Sequence, residues 1–293
     1  MRTSIITLVV TALGAVNAHP LKRDGGVDDA TVLNFALTLE HLENAFYSQA
    51  LERYDAAAFN KAGFPAWVRR RFQQVGEHEA AHVQFLSSAL GDKATQPCTY
   101  DFPHNDPKSF AALSQVLEGV GVSAYTGAAQ YISDKAYLTA AASVLATEAR
   151  HASWVASTVN GGSGWSGPLD VPLTLDTVYT LAASFIKSCP STNPALPVKA
   201  FPAVTFGSPK PGSESTVTLP SSVDASKPLC AIFFTGLSQV VSPIKDGKTM
   251  IPSELRGTVY AVVSTDCTSA NDQNIAAGPA ILTFPFNSQG NLI

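Results

Sequence analysis

The segment GEHEAAHVQFL, residues 76–86, is compatible with two kinds of metal protein. His78, Glu79 and His82 match the H-E-x-x-H pattern of zinc proteases, in which both histidines bind one zinc ion and the glutamate is the general base. Glu79 and His82 alone form Glu-x-x-His, the ligand pair that helical bundles with two metal ions use. The segment by itself allows both interpretations, so the choice depends on the rest of the chain.

The N-terminal part of the chain contains an internal duplication. EAAHVQFL at 79–86 aligns with EARHASWV at 148–155, and both carry Glu-x-x-His with an aromatic residue three positions after the histidine. LEHLENAFYSQA at 39–50 aligns with LEGVGVSAYTGA at 117–128, and both carry a glutamate followed by a tyrosine seven residues later. Seven residues are nearly two helical turns, so each glutamate shares a helix face with its tyrosine. The retained pairs are Glu40 and Glu118, Glu79 and Glu148, His82 and His151, and Tyr47 and Tyr125.

The duplication favours a site with two metal ions over a zinc protease. His78 aligns with Thr147, and the H-x-x-G-x-x-H extension that would give a third zinc ligand is absent from the sequence. Four buried carboxylates without compensating cations would be too costly. Oxygen-rich ligands with one imidazole per ion suit two divalent ions of iron or manganese. The predicted ligands are Glu40, Glu79, His82, Glu118, Glu148 and His151, with Glu43 as an alternative to Glu40.

Hydrophobic spacing and helix punctuation predict an all-α four-helix bundle plus a fifth helix. The connector 91–107, with three prolines, can span about 56 Å when extended, whereas a 24-residue helix is about 36 Å long. It can therefore cross the whole bundle, as the long connection of a ferritin-like bundle does. We expect the glycines at 119, 121 and 127 to let the first helix approach the third. The predicted helices are 28–52, 65–90, 108–132, 134–158 and a shorter one at 174–187.

The composition changes near residue 190. The later residues hold 2 of the 9 glutamates and none of the 6 histidines, and short β-like runs alternate with turn residues. We therefore predict a helical domain at 24–190, then a linker and a small antiparallel β-rich domain at 191–293. Four cysteines allow three pairings, of which we favour one disulfide per domain, Cys98–Cys189 and Cys230–Cys267.

The N-terminus predicts secretion. Residues 1–18 have a positive start, a short apolar core and a small-residue cleavage site, as a signal peptide does, and the dibasic pair that ends at residue 23 suits a second cut of a propeptide at 19–23. No later stretch is long and apolar enough for a membrane span. The net charge of −4 argues against nucleic acid as a partner. GGSGWSG at 161–167 does not match the G-x-S-x-G motif of serine hydrolases.

At the segments NFALTLEHLENAFY, GEHEAAHVQFL and ATEARHASWV the chain resembles secreted fungal ferritin-like proteins of the late-sexual-development or stress-response type, which have bacterial desiccation-related relatives. The resemblance covers residues 28–188. It implies a five-helix ferritin-like domain in which Glu79 and Glu148 bridge the two ions and Glu40 and Glu118 are terminal ligands. The signal peptide and the added β domain argue against an iron-storing cage.

Two functions follow as expectations. The first is a secreted oxidoreductase, of the peroxidase, catalase or oxidase type, that acts on O2 or H2O2, with Tyr47 and Tyr125 as catalytic groups beside the ions. The second is a metal-binding but non-catalytic stress or cell-surface protein, located outside the cell or in the cell wall. A zinc metalloprotease that uses HEAAH is the least favoured alternative.

Overall fold

The computed structural model describes residues 27–293, in which six α-helices precede most of the β-structure. The predicted signal peptide and propeptide lie outside the described residues. The helices are α1 (Asp29–Arg53), α2 (Ala56–Lys61), α3 (Ala66–Leu90), α4 (Pro107–Ala128), α5 (Lys135–Trp154) and α6 (Leu175–Ala183). Short 3-10 turns follow α3 and α4, and a π-helical turn, Val155–Val159, continues α5.

Side-chain caps start three of the four long helices, α1, α4 and α5. Asp28 accepts a hydrogen bond from the Thr31 amide at 2.8 Å and begins α1. Asp106 and Ser109 form a reciprocal capping box at the start of α4, where Pro107 occupies a first-turn position. At the other end of α3, Gly91 has a φ of 56° and ends the helix in the left-handed region, which favours glycine. These caps fix the ends of helices whose apolar faces then pack together.

The four long helices form the predicted bundle. α1 packs along α3, α4 packs along α5, and the segment between α3 and α4 crosses the bundle. Phe46, Tyr47, Phe72 and Phe110 are fully buried, and Phe46 stacks on Phe110 with ring centroids 5.0 Å apart. None of the helices within residues 27–293 combines the length and apolar character that crossing a bilayer requires.

Two details differ from the predicted helices. The short helix α2 was not predicted, because six residues hold too little periodicity to be distinguished from a turn. The fifth helix was predicted to reach residue 187 but ends at Ala183. Ile186–Ser188 is instead strand β2, which pairs with β1 (Thr99–Tyr100) from the crossover. Strand pairing prevents these residues from continuing the helix. Such a tertiary contact cannot be predicted from the local spacing of apolar residues.

The C-terminal region is β-rich and antiparallel, as predicted. One sheet has the order β3-β4-β7 and the other β6-β5-β8-β9. Alternating buried and exposed residues in β4 and a nearly continuous buried run in β8 place a second core between the sheets. The strands are β3 (Thr205–Gly207), β4 (Glu214–Thr218), β5 (Leu229–Thr235), β6 (Ser238–Ile244), β7 (Lys248–Met250), β8 (Gly257–Ser264) and β9 (Ile275–Phe284).

Both predicted disulfides are confirmed. Cys98–Cys189 joins the crossover to the segment after α6 and closes a separation of 91 residues. Cys230–Cys267 lies within the β-rich region, and none of the four cysteines is free. A disulfide restricts the unfolded chain more strongly when it closes a longer loop.

Tyr260 of β8 connects the sheet to the bundle through buried contacts. Its side chain is buried in the helical core, where its hydroxyl donates to the Gly119 carbonyl and accepts from the Ser123 hydroxyl, both at 3.0 Å. Both partners lie on α4. The β-rich region is therefore joined to the bundle by a buried polar contact as well as by apolar packing.

We expect Tyr260→Phe to lower the free energy of unfolding by about 1–3 kcal/mol, because it leaves buried groups of α4 without their partner. Chemical denaturation measures the change. Tyr179→Phe is the matched control, since among residues 27–293 this half-buried hydroxyl of α6 has no hydrogen-bond partner. Equal effects of the two substitutions would contradict the role given to Tyr260.

Candidate metal centre

The six predicted ligands converge in the middle of the bundle, one carboxylate from each long helix. α1 supplies Glu40 and α4 supplies Glu118, whereas α3 and α5 each supply a Glu-x-x-His pair. The two members of such a pair lie three residues apart and therefore on the same helix face. The four carboxylates, Glu40, Glu79, Glu118 and Glu148, are completely buried.

These residues form two overlapping groups. One contains Glu40, Glu79, His82 and Glu148, and the other contains Glu79, Glu118, Glu148 and His151. Within each group, one ligand atom per residue lies within 4.8 Å of the others. Glu79 and Glu148 belong to both groups, the positions that bridging carboxylates occupy. Each group has its own imidazole and its own terminal carboxylate.

Several of the buried atoms have no hydrogen-bond partner. His151 Nδ1 lies 3.1 Å from Glu79 Oε1 and 3.2 Å from Glu118 Oε2, but the geometry does not make these contacts hydrogen bonds. Both Glu148 oxygens are likewise unpartnered. Native proteins rarely leave buried polar atoms unsatisfied. The converging donors fit divalent cations, whose coordination would supply the missing partners.

The two tyrosines connect the halves of the duplication. Tyr125 on α4 donates a hydrogen bond to Glu40 on α1, and Tyr47 on α1 donates to Glu118 on α4. Each tyrosine therefore contacts the glutamate of the opposite helix rather than the one seven residues before it. Tyr47 is also 2.7 Å from the Ser114 hydroxyl. Burial, followed by the nearby carboxylates, raises the pKa of both phenols well above the ordinary value.

Glu43 is a further buried carboxyl beside the site. It belongs to neither ligand group, although it lies one turn after Glu40. Its duplicate position is Gly121, and a Cβ atom there would lie 3.1 Å from Glu43 Oε1 and 3.2 Å from Glu148 Oε2. The glycine thus leaves the space that the Glu43 side chain requires. Of the three glycines that were predicted to let α1 approach α4, only Gly121 lies against an α1 side chain.

The other two glycines of α4 face different elements. A Cβ atom at Gly127 would lie 1.8 Å from the Leu173 carbonyl oxygen, in the segment that precedes α6. At Gly119 the nearest atom is the Tyr260 hydroxyl, at 4.0 Å. The prediction that these two glycines accommodate α1 was wrong. Local sequence shows that a glycine is present but not which element will pack against it.

Burial and the mutual repulsion of the carboxylates raise the pKa of several carboxyl groups in the site. Burial raises the pKa of Glu40 to about 7, despite hydrogen bonding to His82. For Glu43 and Glu148, burial and then the neighbouring carboxylates raise the pKa well above the ordinary value. Glu79 is the exception: burial opposes its ionisation, but contacts with His151 and His82 outweigh burial and lower its pKa to about 2.

The pKa values of the two histidines are also raised, but by contacts with carboxylates and against the effect of burial. Burial disfavours the imidazolium form, but contacts with Glu148, Glu40 and Glu79 outweigh it and raise the pKa of His82 to about 12. For His151 the contacts with Glu118 and Glu79 raise the pKa to about 10. Without cations, the ligands therefore compensate one another with protons. A bound metal ion would displace those protons from its ligands.

The two histidines of the HEAAH segment do not converge on one point. His82 Nδ1 lies 3.1 Å from Glu79 Oε2 and 3.2 Å from Glu40 Oε2. His78 is exposed, and its Nδ1 lies 2.9 Å from His151 Nε2 with the two rings stacked. Among the described residues, His78 is in neither group of candidate ligands. This contact between helices could not be read from the spacing within α3.

Comparisons with known proteins agree with this architecture. Residues 28–161 match the sequence model of the ferritin-like domain. The helical part of the chain therefore has a ferritin-like fold, and the resemblance to fungal ferritin-like proteins inferred from the sequence is confirmed. A fungal relative is Protein rds1 of Schizosaccharomyces pombe (strain 972 / ATCC 24843), 25% identical over 181 residues. The alignment covers 62% of this chain but only 45% of the relative, less than half of its length.

The buried Glu43 carboxyl predicts a pH-dependent stability of the metal-free protein. Its pKa is raised in the folded state, so the folded protein retains a proton that the unfolded chain loses above about pH 4.5. Glu43 therefore lowers the free energy of unfolding as the pH rises, by up to about 1.4 kcal/mol per pH unit. We expect the stability of Glu43→Gln relative to the parent to increase by about 1 kcal/mol or more between about pH 4.5 and 7.5.

Chemical denaturation in the presence of a chelator, repeated across this pH range, measures the effect. Glu52→Gln is the control, because Glu52 lies on the same helix but is exposed. Its stability relative to the parent should vary by less than about 0.5 kcal/mol. A stability difference for Glu43→Gln that does not change with pH would exclude a proton held by this carboxyl.

Proposed function

We propose that the ferritin-like domain binds two divalent metal ions, iron or manganese, in a carboxylate-bridged site. The observation that carries the proposal is the set of buried, unpartnered atoms on Glu79, Glu118, Glu148 and His151. Glu79 and Glu148 would hold both ions, since they belong to both ligand groups, whereas each imidazole would hold one. The oxygen-rich ligand set with a single nitrogen per ion suits these metals.

We further propose that the loaded domain is an oxidoreductase that acts on O2 or H2O2. When bound, a pair of such ions would supply electron exchange with the oxygen substrate. Tyr125 and Tyr47 orient Glu40 and Glu118 through their hydroxyl groups. Each phenol hydroxyl lies within reach of a ligand carboxylate. This placement supports a catalytic role for both tyrosines in proton transfer near the ions.

The setting that we propose is outside the cell, in stress or development. Two disulfides in the described chain suit an oxidising compartment, and the N-terminal sequence has the features of a signal peptide. Peroxide chemistry suits a protein at the fungal cell surface or in the cell wall. The relationship to Protein rds1 supports a fungal context but covers only part of that protein.

A second candidate is a metal-binding protein without catalysis. It is favoured by the complete burial of all four ligand carboxylates, as expected of ions that stabilise a fold. The β-rich region would then serve as an interaction module. A zinc protease has less support, because His78 faces His151 and not the other ligands of His82.

Metal content of three variants tests the site. His82→Ala and His151→Ala should each lower the bound metal below two ions per chain, since each removes the only imidazole of one ion. His78→Ala should leave the metal content nearly unchanged, because water can replace the exposed His78 as partner of His151 Nε2. Elemental analysis of protein purified without chelators measures the stoichiometry. Loss of metal in His78→Ala, with retention in His151→Ala, would instead support a zinc protease.

Peroxide turnover separates catalysis from simple metal binding. We expect the loaded protein to consume H2O2 and the metal-free protein to be inactive. Tyr47→Phe should retain the metal but lower kcat by at least about tenfold, because general acid–base groups typically contribute 10²–10⁴-fold. Oxygen-electrode or absorbance measurements follow the reaction, and Tyr179→Phe is the control. Full metal loading without turnover would favour the second candidate.

A further inference from the structure

A surface pocket of about 420 Å³ lies between α3 and α5 and reaches the candidate metal centre. His78 and His151 are part of its wall. His151 directs Nε2 toward His78 and Nδ1 toward Glu79 and Glu118. A molecule in the pocket would therefore be separated from the carboxylates by one imidazole ring. Its remaining lining includes Trp67, Arg71, Gln74, Arg150 and Trp154.

The pocket carries unpaired positive charge. Arg71 donates to the Gln74 side-chain oxygen and Arg150 donates to the Ala146 carbonyl, both neutral acceptors. In the part of the chain that the structure describes, neither arginine forms an ion pair, and no carboxylate lines this pocket. A guanidinium has five N–H donors, so each retains donors for a ligand. The guanidinium fork is suited to a carboxylate.

Two indole rings provide an aromatic surface in the same pocket. Trp67 is 46% exposed although it is large and apolar, and its ring centroid lies 6.4 Å from that of Trp154. Trp154 is held in turn by edge contact with Phe72, at 5.0 Å. Aromatic rings bind such surfaces by offset stacking or edge contact. The lining thus combines carboxylate recognition with aromatic recognition.

We propose that this pocket binds a small aromatic carboxylate that carries a phenol hydroxyl, and that this compound is the electron donor of the proposed oxidoreductase. The electron-donor role rests on the proposed function, whereas binding does not. Each phenol loses one electron and one proton and becomes a phenoxyl radical. Two phenols thus provide the two electrons and two protons that convert one H2O2 into two water molecules. His151 connects the pocket wall to the ligand carboxylates Glu79 and Glu118.

Titration calorimetry with 4-hydroxycinnamate tests the binding, on metal-free and on metal-loaded full-length protein. We expect saturable binding with a Kd on the order of 1 mM or tighter. The double variant Arg71→Gln/Arg150→Gln should bind at least about tenfold more weakly, which corresponds to about 1.4 kcal/mol. Arg70→Gln is the matched control, because Arg70 lies on the same helix, is exposed and does not line the pocket.

Ligand analogues test separately whether the pocket recognises the carboxylate and whether it recognises the aromatic ring. The neutral amide of 4-hydroxycinnamate and the non-aromatic cyclohexanecarboxylate should each bind at least about tenfold more weakly than 4-hydroxycinnamate. Trp67→Ala should lose the preference for the aromatic carboxylate. Equal affinity of the parent and the double arginine variant, or no saturable binding by the parent, would overturn the site.

Metal analysis of the same samples separates the two proposals. If the protein binds two metal ions but shows no arginine-dependent binding of 4-hydroxycinnamate, the pocket assignment fails and the metal site stands. If it binds 4-hydroxycinnamate through the arginines but holds no metal, the binding site stands, and the electron-donor role fails with the proposed function.

Discussion

The burial of four carboxylates in one helical core is the constraint on which the rest of the structure depends. Ionised carboxylates away from water must be compensated by protons, imidazolium groups or metal ions. Without cations, protons are shared among the ligands and the neighbouring Glu43: contacts with two histidines lower the pKa of Glu79 and raise those of the histidines, while burial raises the pKa values of Glu43 and Glu148 well above the ordinary value. Such a core is poised to exchange protons for cations, which requires the four carboxylates to converge from four different helices. The bundle meets this requirement.

The polar contacts of the site are formed between the two duplicated halves rather than within each half. Each tyrosine donates to the glutamate of the other half, so neither half completes its own polar contacts. The symmetry is broken at Glu43, which fills the space that its duplicate Gly121 leaves open. A second large side chain at Gly121 would collide with Glu43 and Glu148. One half thus carries the extra carboxyl and the other carries the glycine that accommodates it.

Much of the helical domain could be predicted from the sequence because its signals are local. Periodicity placed the long helices, and the spacing of Glu79 to His82 and of Glu148 to His151 placed each pair on one face. The structure brings together all six predicted ligands, but their role as metal ligands remains a prediction. The contact of His78 with His151 and the exchange of tyrosines between halves arise where separate helices meet. The end of α6 depends on strand pairing with residues some 90 positions earlier, and local patterns carry no information on such contacts.

The β-rich region takes part in holding the site in place. α4 carries Glu118 but also three glycines, which weaken its intrinsic helical preference by roughly 1 kcal/mol each relative to alanine. Two of these glycines face later parts of the chain: the Leu173 backbone packs against Gly127, and Tyr260 binds the Gly119 carbonyl. The Leu173 amide also donates to the Ser123 carbonyl, so α4 is supported along the length that presents Glu118 and Tyr125. Elements outside the bundle therefore replace the stability that α4 lacks. Because Glu118 and Tyr125 contact ligands on the other helices, the geometry of the whole candidate site depends on the sheet as well as on the bundle.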